Sequence, residues 1–175
     1  MFIIEKYVNE IINIQSDGAY ILLGYCMGGR LAFRVAKELE KRGYRVSNLI
    51  ILDGYRQLEK NPPSNEDIEQ YKNKLSQSID EDKKYLMFKE EILEKTIAYY
   101  RYCGELVDDG TINANIYLVK ASDIDITRVQ NNGWSEATTC NYTVHQGFGQ
   151  HNEMLEAGFV EGNAGVLVDI LDGGI

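Results

Sequence analysis

Residues 19–29 read AYILLGYCMGG, and the fold turns on them. Ala19 to Leu23 is a short apolar run entering a glycine-flanked turn, the pattern of a strand buried on both faces. From Gly28 to Arg42 the apolar positions Leu31, Val35 and Leu39 recur every four residues and Gly43 supplies a stop, so the same stretch opens an amphipathic helix. Val46 to Leu52 follows as a second apolar strand. Strand, helix and strand in this order imply a parallel pair joined by a right-handed crossover. Upstream, Ile3, Ile4, Tyr7, Val8, Ile11 and Ile12 fall at helical spacing, and Ser16-Asp17-Gly18 ends that helix. Downstream, residues 115–120 (NIYLVK) and 141–145 (NYTVH) read as third and fourth strands. Residues 153–171 read as a final helix whose first half is weakened by Gly158, Gly162 and Gly165. The expected fold class is α/β, with a mostly parallel sheet of about four strands and flanking helices.

Between Tyr55 and Tyr102 the rhythm breaks. Pro62-Pro63 opens a stretch dense in Glu, Asp, Lys and Gln, with sparse apolar residues at Ile68, Tyr71, Leu75 and Ile79. The pattern predicts one or two short surface helices over 62–82 and a crossover helix back to the sheet over 84–102.

The chain has 175 residues, 44% hydrophobic and 26% charged, with 18 Lys and Arg against 27 Asp and Glu for a net charge of −9. That size buries a core without disulfide or metal staples. Two prolines and 16 glycines exclude a disordered or collagen-like chain. The acidic balance argues against a nucleic-acid groove, since the last basic residue is Arg128. Both histidines, His145 and His151, lie in the segment beyond it. Three cysteines, Cys26, Cys103 and Cys140, with no C-x-x-C spacing, fit a cytoplasmic protein. Met1 to Gln15 carries Glu5, Lys6 and Glu10 and does not read as a signal peptide or a membrane span.

Gly24-Tyr25-Cys26-Met27-Gly28-Gly29 sits where a buried strand gives way to a helix, the setting of a nucleophile elbow. Such a turn strains its central residue, and Gly24 and Gly28 are expected to make room for it. Cys26 would stand at the positive end of the helix, with the Met27 N–H aimed at a developing oxyanion. A helix N-terminus and a neighbouring imidazolium are both expected to lower the thiol's pKa. The competing reading is a small buried core cysteine. Two further residues favour the elbow. In hydrolases of this class the chain order is nucleophile, acid, histidine; Asp53 closes the second strand and His151 follows the fourth in a glycine-flanked loop. All three then fall at the same edge of the sheet.

Tyr20-Ile-Leu-Leu-Gly-Tyr-Cys-Met-Gly-Gly, Ile51-Leu-Asp-Gly-Tyr and Gly149-Gln-His-Asn-Glu-Met-Leu155 resemble the thioesterase domains that end non-ribosomal peptide synthetases. The resemblance spans nearly the whole chain and is weakest over 56–89. It implies an α/β-hydrolase fold, with Cys26 the acylated nucleophile, Asp53 the acid, His151 the base and a helical lid inserted at 56–89. It also implies release of an acyl or peptidyl chain from the phosphopantetheine arm of a partner carrier protein, by hydrolysis or cyclisation, with no cofactor of the domain's own. The usual nucleophile is Ser. An acyl-Cys is more reactive toward amines than an oxyester, so aminolysis or cyclisation is expected to gain over hydrolysis.

In this family several strands precede the nucleophile strand, and a loop among them gives a second oxyanion donor; here one helix precedes Ala19. Residues 1–175 are therefore expected to be one thioesterase-like domain equivalent to the C-terminal portion, a truncated hydrolase with Met27 as sole oxyanion donor. A poor catalyst with an exposed apolar sheet edge that self-associates is the consequence.

Other residues are weighed beside these. His145 reads as structural, and Cys103 and Cys140 as core thiols. Asp123 and Asp125, after the third strand, occupy the place where other hydrolases of this fold carry the acid. Cys140, His145 and His151 have no recognised zinc spacing. A thiol hydrolase of small esters or lactones, and an inactive remnant that docks a carrier protein, are the alternative functions.

Overall fold

A computed structural model describes residues 2–81, 83–122 and 133–173. In it α1 (Phe2–Ile14) leads into β1 (Ala19–Tyr25), α2 (Met27–Lys41) and β2 (Arg45–Leu52). After the irregular middle of the chain come α3 (Asn65–Glu81), α4 (Lys89–Glu105), β3 (Asn115–Lys120), β4 (Tyr142–Gln146) and α5 (Val160–Gly173). Helical structure at the C-terminus starts late, as the glycines of 158–165 foretell. His151–Glu153 forms a separate 3-10 turn.

The four strands form one sheet in the order β1-β2-β3-β4, and every neighbouring pair is parallel. β2 is buried without a break from Asn48 to Leu52, because both faces of the sheet are covered there. Val46, Leu49 and Ile51 join Phe33, Val35, Ala36 and Leu39 of α2 and Val8 of α1 in one core cluster. Ile50 and Leu52 belong to the other, with Val119, Met154 and Ile170 of α5. Register is marked by polar side chains as well: Asn115 donates to Asn48 at 3.1 Å, and the Asn141 N–H donates to Asn115 at 3.3 Å.

The chain divides into two compact units, one made of residues up to Arg56 and from Asp108 onward, the other of Gln57–Val107. In the first unit the two residues that flank the division are tied together. Arg56 donates from Nε to the Asp108 carbonyl at 2.8 Å, and its other nitrogens reach the carbonyls of Gly133 and Gly110. The Asp108 carboxylate is buried against Arg30 at 2.5 Å and Arg34 at 3.1 Å, both from α2.

In the second unit α3 is a single helix. Ser64 and Asp67 cap it reciprocally, the hydroxyl accepting from the Asp67 N–H at 3.1 Å and the carboxylate from the Ser64 N–H at 2.9 Å. α4 belongs to this unit too, which corrects the expected crossover helix over 84–102. It packs on α3 through Tyr71 and Tyr100, whose rings are 4.8 Å apart, and the Gly104 carbonyl accepts from Asn61 N–H at 2.8 Å. The reason lies in its pattern: α4 buries Leu93, Cys103 and Gly104, too little for a helix covering a sheet. The unit thus reaches beyond the 56–89 expected for a lid. No helix among the described residues is long and apolar enough to cross a membrane.

Candidate active site

Cys26 directly follows β1 and caps α2 with φ 54°, and Asp53 directly follows β2 with φ 45°. Among the described residues these are the only non-glycine positions with positive φ, a conformation that costs of order 1–3 kcal/mol each and persists where surrounding structure enforces it. The enforcement is visible. The Cys26 N–H donates to the Leu52 carbonyl at 2.8 Å and the Asp53 N–H to the Val119 carbonyl at 2.8 Å, so each strand end hangs on the next.

The tight approach at the elbow falls on Gly24, Gly29 and Gly54. A Cβ on Gly24 would meet the Gly28 carbonyl oxygen at 2.3 Å, one on Gly29 the Ile51 Cγ2 at 2.6 Å, and one on Gly54 the Cys26 carbonyl oxygen at 2.7 Å. Gly28 has open space where a Cβ would stand, so its expected steric role passes to its neighbour. Gly54 escaped the sequence reading, although it follows the candidate acid directly. Its carbonyl accepts from the buried Trp134 indole at 3.2 Å.

His151 lies in the 3-10 turn after β4, fixed by a capping box in which Gln150 and Glu153 exchange hydrogen bonds. Its Nδ1 is 2.6 Å from Asp53 Oδ2. With the carboxylate ionised, Nδ1 carries the proton and Nε2 presents a lone pair. The Asp53 side chain is 6% exposed and that of His151 38%. Burial pushes the Asp53 carboxyl up, but Lys120, His151 and the Ala121 N–H together hold it below the ordinary carboxylate value. Lys120, at the end of β3, makes an ion pair with Asp53 Oδ1. The signal for it was a charged residue closing an otherwise apolar strand.

Tyr25 is a third residue that sequence reasoning passed over, after Gly54 and Lys120. Its ring stacks on the His151 ring at 5.2 Å and 25°, and its hydroxyl donates to the His151 backbone carbonyl. The residue preceding Cys26 therefore carries the imidazole. Among the described residues Cys26 and His151 share no hydrogen bond, and burial pushes the Cys26 thiol up, with the Met27 N–H pulling the other way. This corrects the expectation of a thiol made acidic by the helix end. The desolvation cost of a thiolate outweighs the single N–H that faces it, and Asp53 adds a second negative charge nearby.

The remaining candidates lie elsewhere. His145 is in β4, its ring 6.0 Å from that of Tyr117, and among the described residues its buried Nε2 has no hydrogen-bond partner. Burial holds it below the ordinary histidine value, with Asp169 acting in opposition. Cys103 is buried, whereas Cys140 is exposed and so is no core thiol, since it sits in the turn before β4. Asp123 and Asp125 lie outside the described residues. Among the described residues no three His, Cys, Asp or Glu side chains are placed to hold a metal ion.

A family model described as a thioesterase domain matches residues 2–165. Bacitracin synthase 3 of Bacillus licheniformis is 36% identical over 178 residues, covering 97% of this chain and 3% of that protein. Tyrocidine synthase 3 of Brevibacillus parabrevis is 32% identical over 186 residues, covering 95% of this chain and 3% of that protein. The chain thus spans a small fraction of the length of these curated relatives. Among solved structures, the thioesterase domain that cyclises the lipopeptide antibiotic surfactin superimposes with a TM-score of 0.79 at 30% identity, over 96% of this chain and 74% of that one. The parallel sheet, the strained Cys26 between β1 and α2 and the agreement along 2–165 lead to one conclusion: the chain belongs to the thioesterase domain family, with the α/β-hydrolase fold.

Proposed function

We propose that this domain releases an acyl or peptidyl chain from the phosphopantetheine arm of a carrier domain, by way of an acyl-Cys26 intermediate. The carrying observation is the 2.6 Å contact between Asp53 and His151 at the sheet edge where Cys26 is held at φ 54°. In the first step His151 Nε2 takes the Cys26 proton as Sγ attacks the thioester carbonyl. The Met27 N–H, first in α2, faces the oxyanion that forms. The bond to the pantetheine sulfur then breaks, and His151 returns the proton to the departing thiolate. Asp53 holds the tautomer throughout and offsets the transient imidazolium. Because partial burial raises the Cys26 thiol and keeps it neutral at rest, proton transfer accompanies attack.

The Cys26 thioester is close in energy to the one it replaces, so the enzyme stays poised for the second half. An amine or hydroxyl of the chain itself, or water, then attacks the acyl carbonyl; His151 accepts its proton, the bond to Cys26 Sγ breaks, and His151 returns the proton to the departing Cys26 thiolate. No cofactor is required, since the carrier supplies the activated thioester. For the carrier, Tyr85–Phe88 offers apolar contact: all four side chains are exposed, beside Lys83 and Lys84. Matches of this chain within much longer synthases agree with such a partner. Incubation with an acyl-pantetheine thioester should add the acyl mass to Cys26, and Cys26→Ala should lose both the adduct and turnover by about 10⁴-fold or more. Equal turnover by Cys26→Ala, or labelling by simple esters in preference to thioesters, would overturn the proposal.

The β1 edge supports a second property, self-association. Ile21 and Leu23 are about half exposed on this outer strand of the described sheet. Sedimentation velocity should show concentration-dependent association that Leu23→Lys removes; a monomer at all concentrations sinks the idea.

A further inference from the structure

The Asp53 carboxylate serves two partners: its Oδ2 faces His151 at 2.6 Å, and its Oδ1 is ion-paired with Lys120, whose side chain is 13% exposed. We infer that Lys120 is a positioning residue that acts through Asp53, occupying one carboxylate oxygen so that the other is presented to His151 and neutralising part of the charge that would favour the imidazolium. The inference rests on the reading of His151 as the base.

The physical argument starts from a buried anion. A carboxylate beside an imidazole favours the imidazolium, and in a site this enclosed the attraction is weakly screened. A base that is already protonated cannot take the Cys26 proton. Lys120 limits that attraction from the opposite oxygen. Two cations on one carboxylate repel each other, so gaining a proton at Nε2 costs more with the ammonium in place. The geometry is enforced from several sides. Lys120 is held in β3 by its pairing with Gln146, and its carbonyl accepts from the Gly147 N–H at 2.7 Å. The Ala121 N–H also lies against Asp53 Oδ1, at 3.4 Å. Lys120 additionally turns Asp53 so that one oxygen alone is left for His151.

Other charged and titratable groups at this point are few among the described residues. Tyr25 comes from β1 and Cys26 from the elbow, and burial raises both, leaving them neutral near pH 7. Glu153, in the same turn as His151, is directed to the Gln150 N–H at 2.9 Å. Among these groups Lys120 is therefore the one cation placed on Asp53.

The test uses the fact that the chain has two histidines. In the Cys26→Ala protein, the ring Cε1–H signals of His145 and His151 are followed by NMR against pH, with and without Lys120→Met. The His151 midpoint should rise by about one unit without Lys120, and His145 should not move. Lys120→Arg should restore the parent midpoint. In the protein with Cys26 intact, the ascending limb of kcat/KM against pH should move up by the same amount, which lowers the rate about tenfold on that limb. An unchanged or lowered His151 midpoint overturns the inference. The NMR measurement needs no turnover, so a failure of the thioesterase reading and a failure of the Lys120 role are separable. If Lys120→Met does not fold, Lys120→Gln carries the same comparison.

Discussion

The sheet unit and the inserted unit are built to different standards of burial. α2 buries Gly29, Arg30, Ala32, Phe33, Val35, Ala36 and Leu39, whereas the longer α3 buries only Ile68 and Ile79, and the 3-10 stretch Lys83–Phe88 buries nothing. The candidate site, with Cys26, Asp53 and His151, lies in the first. Strained backbone at Cys26 and Asp53 persists only where neighbouring atoms leave no alternative, and tight packing provides that. The inserted unit instead displays Tyr85, Leu86, Met87 and Phe88 on its surface. Regions with few buried contacts open at lower free energy and tolerate change.

Substitutions can break this contrast or sharpen it. The largest effect is expected at Asp108, whose carboxylate is fully buried between Arg30 and Arg34. Asp108→Ala removes the buried carboxylate that Arg30 and Arg34 face and should cost about 3–5 kcal/mol in urea unfolding. A loss below about 1 kcal/mol would mean that the sheet unit is not held as tightly at the ends of the insertion as its hydrogen bonds indicate. The smallest effect is expected at Met87, 82% exposed in the inserted unit. Met87→Ser should change stability by no more than about 0.5 kcal/mol while weakening transfer from a carrier-bound thioester relative to free acyl-pantetheine. Destabilisation beyond about 1 kcal/mol would show that this side chain is buried in solution and remove the contrast.

Much of the sheet unit is legible along the chain. The apolar run at 19–23, the four-residue spacing of Leu31, Val35 and Leu39 and the run ending at Leu52 appear as β1, α2 and β2, but β1, expected to be buried on both faces, leaves Ile21 and Leu23 about half exposed because it is the outer strand of the described sheet. The inserted unit is less legible. A charged helix such as α4 carries no stripe strong enough to say whether it lies on the sheet or on another helix. The candidate site shows the same division. Cys26, Asp53 and His151 can be named from residue type, chain order and position at strand ends, but Tyr25 and Lys120 look like ordinary strand residues until their neighbours are known.

By itself, then, the amino-acid order determined the α/β class, the position of the elbow and the identity of the residues brought to one sheet edge. Tertiary structure decided how those residues behave. Whether Cys26 rests as thiol or thiolate depends on burial by distant segments, and here burial keeps it protonated. Which glycine the elbow needs for space depends on where Ile51 stands, and that selects Gly29 over Gly28. The pairing of Asp53 with His151, 98 residues away, and with Lys120 exists only because three parallel strands end side by side. The physical reason is range: propensity and periodicity are set within a few residues, while desolvation and charge depend on whatever the completed fold places within a few ångströms.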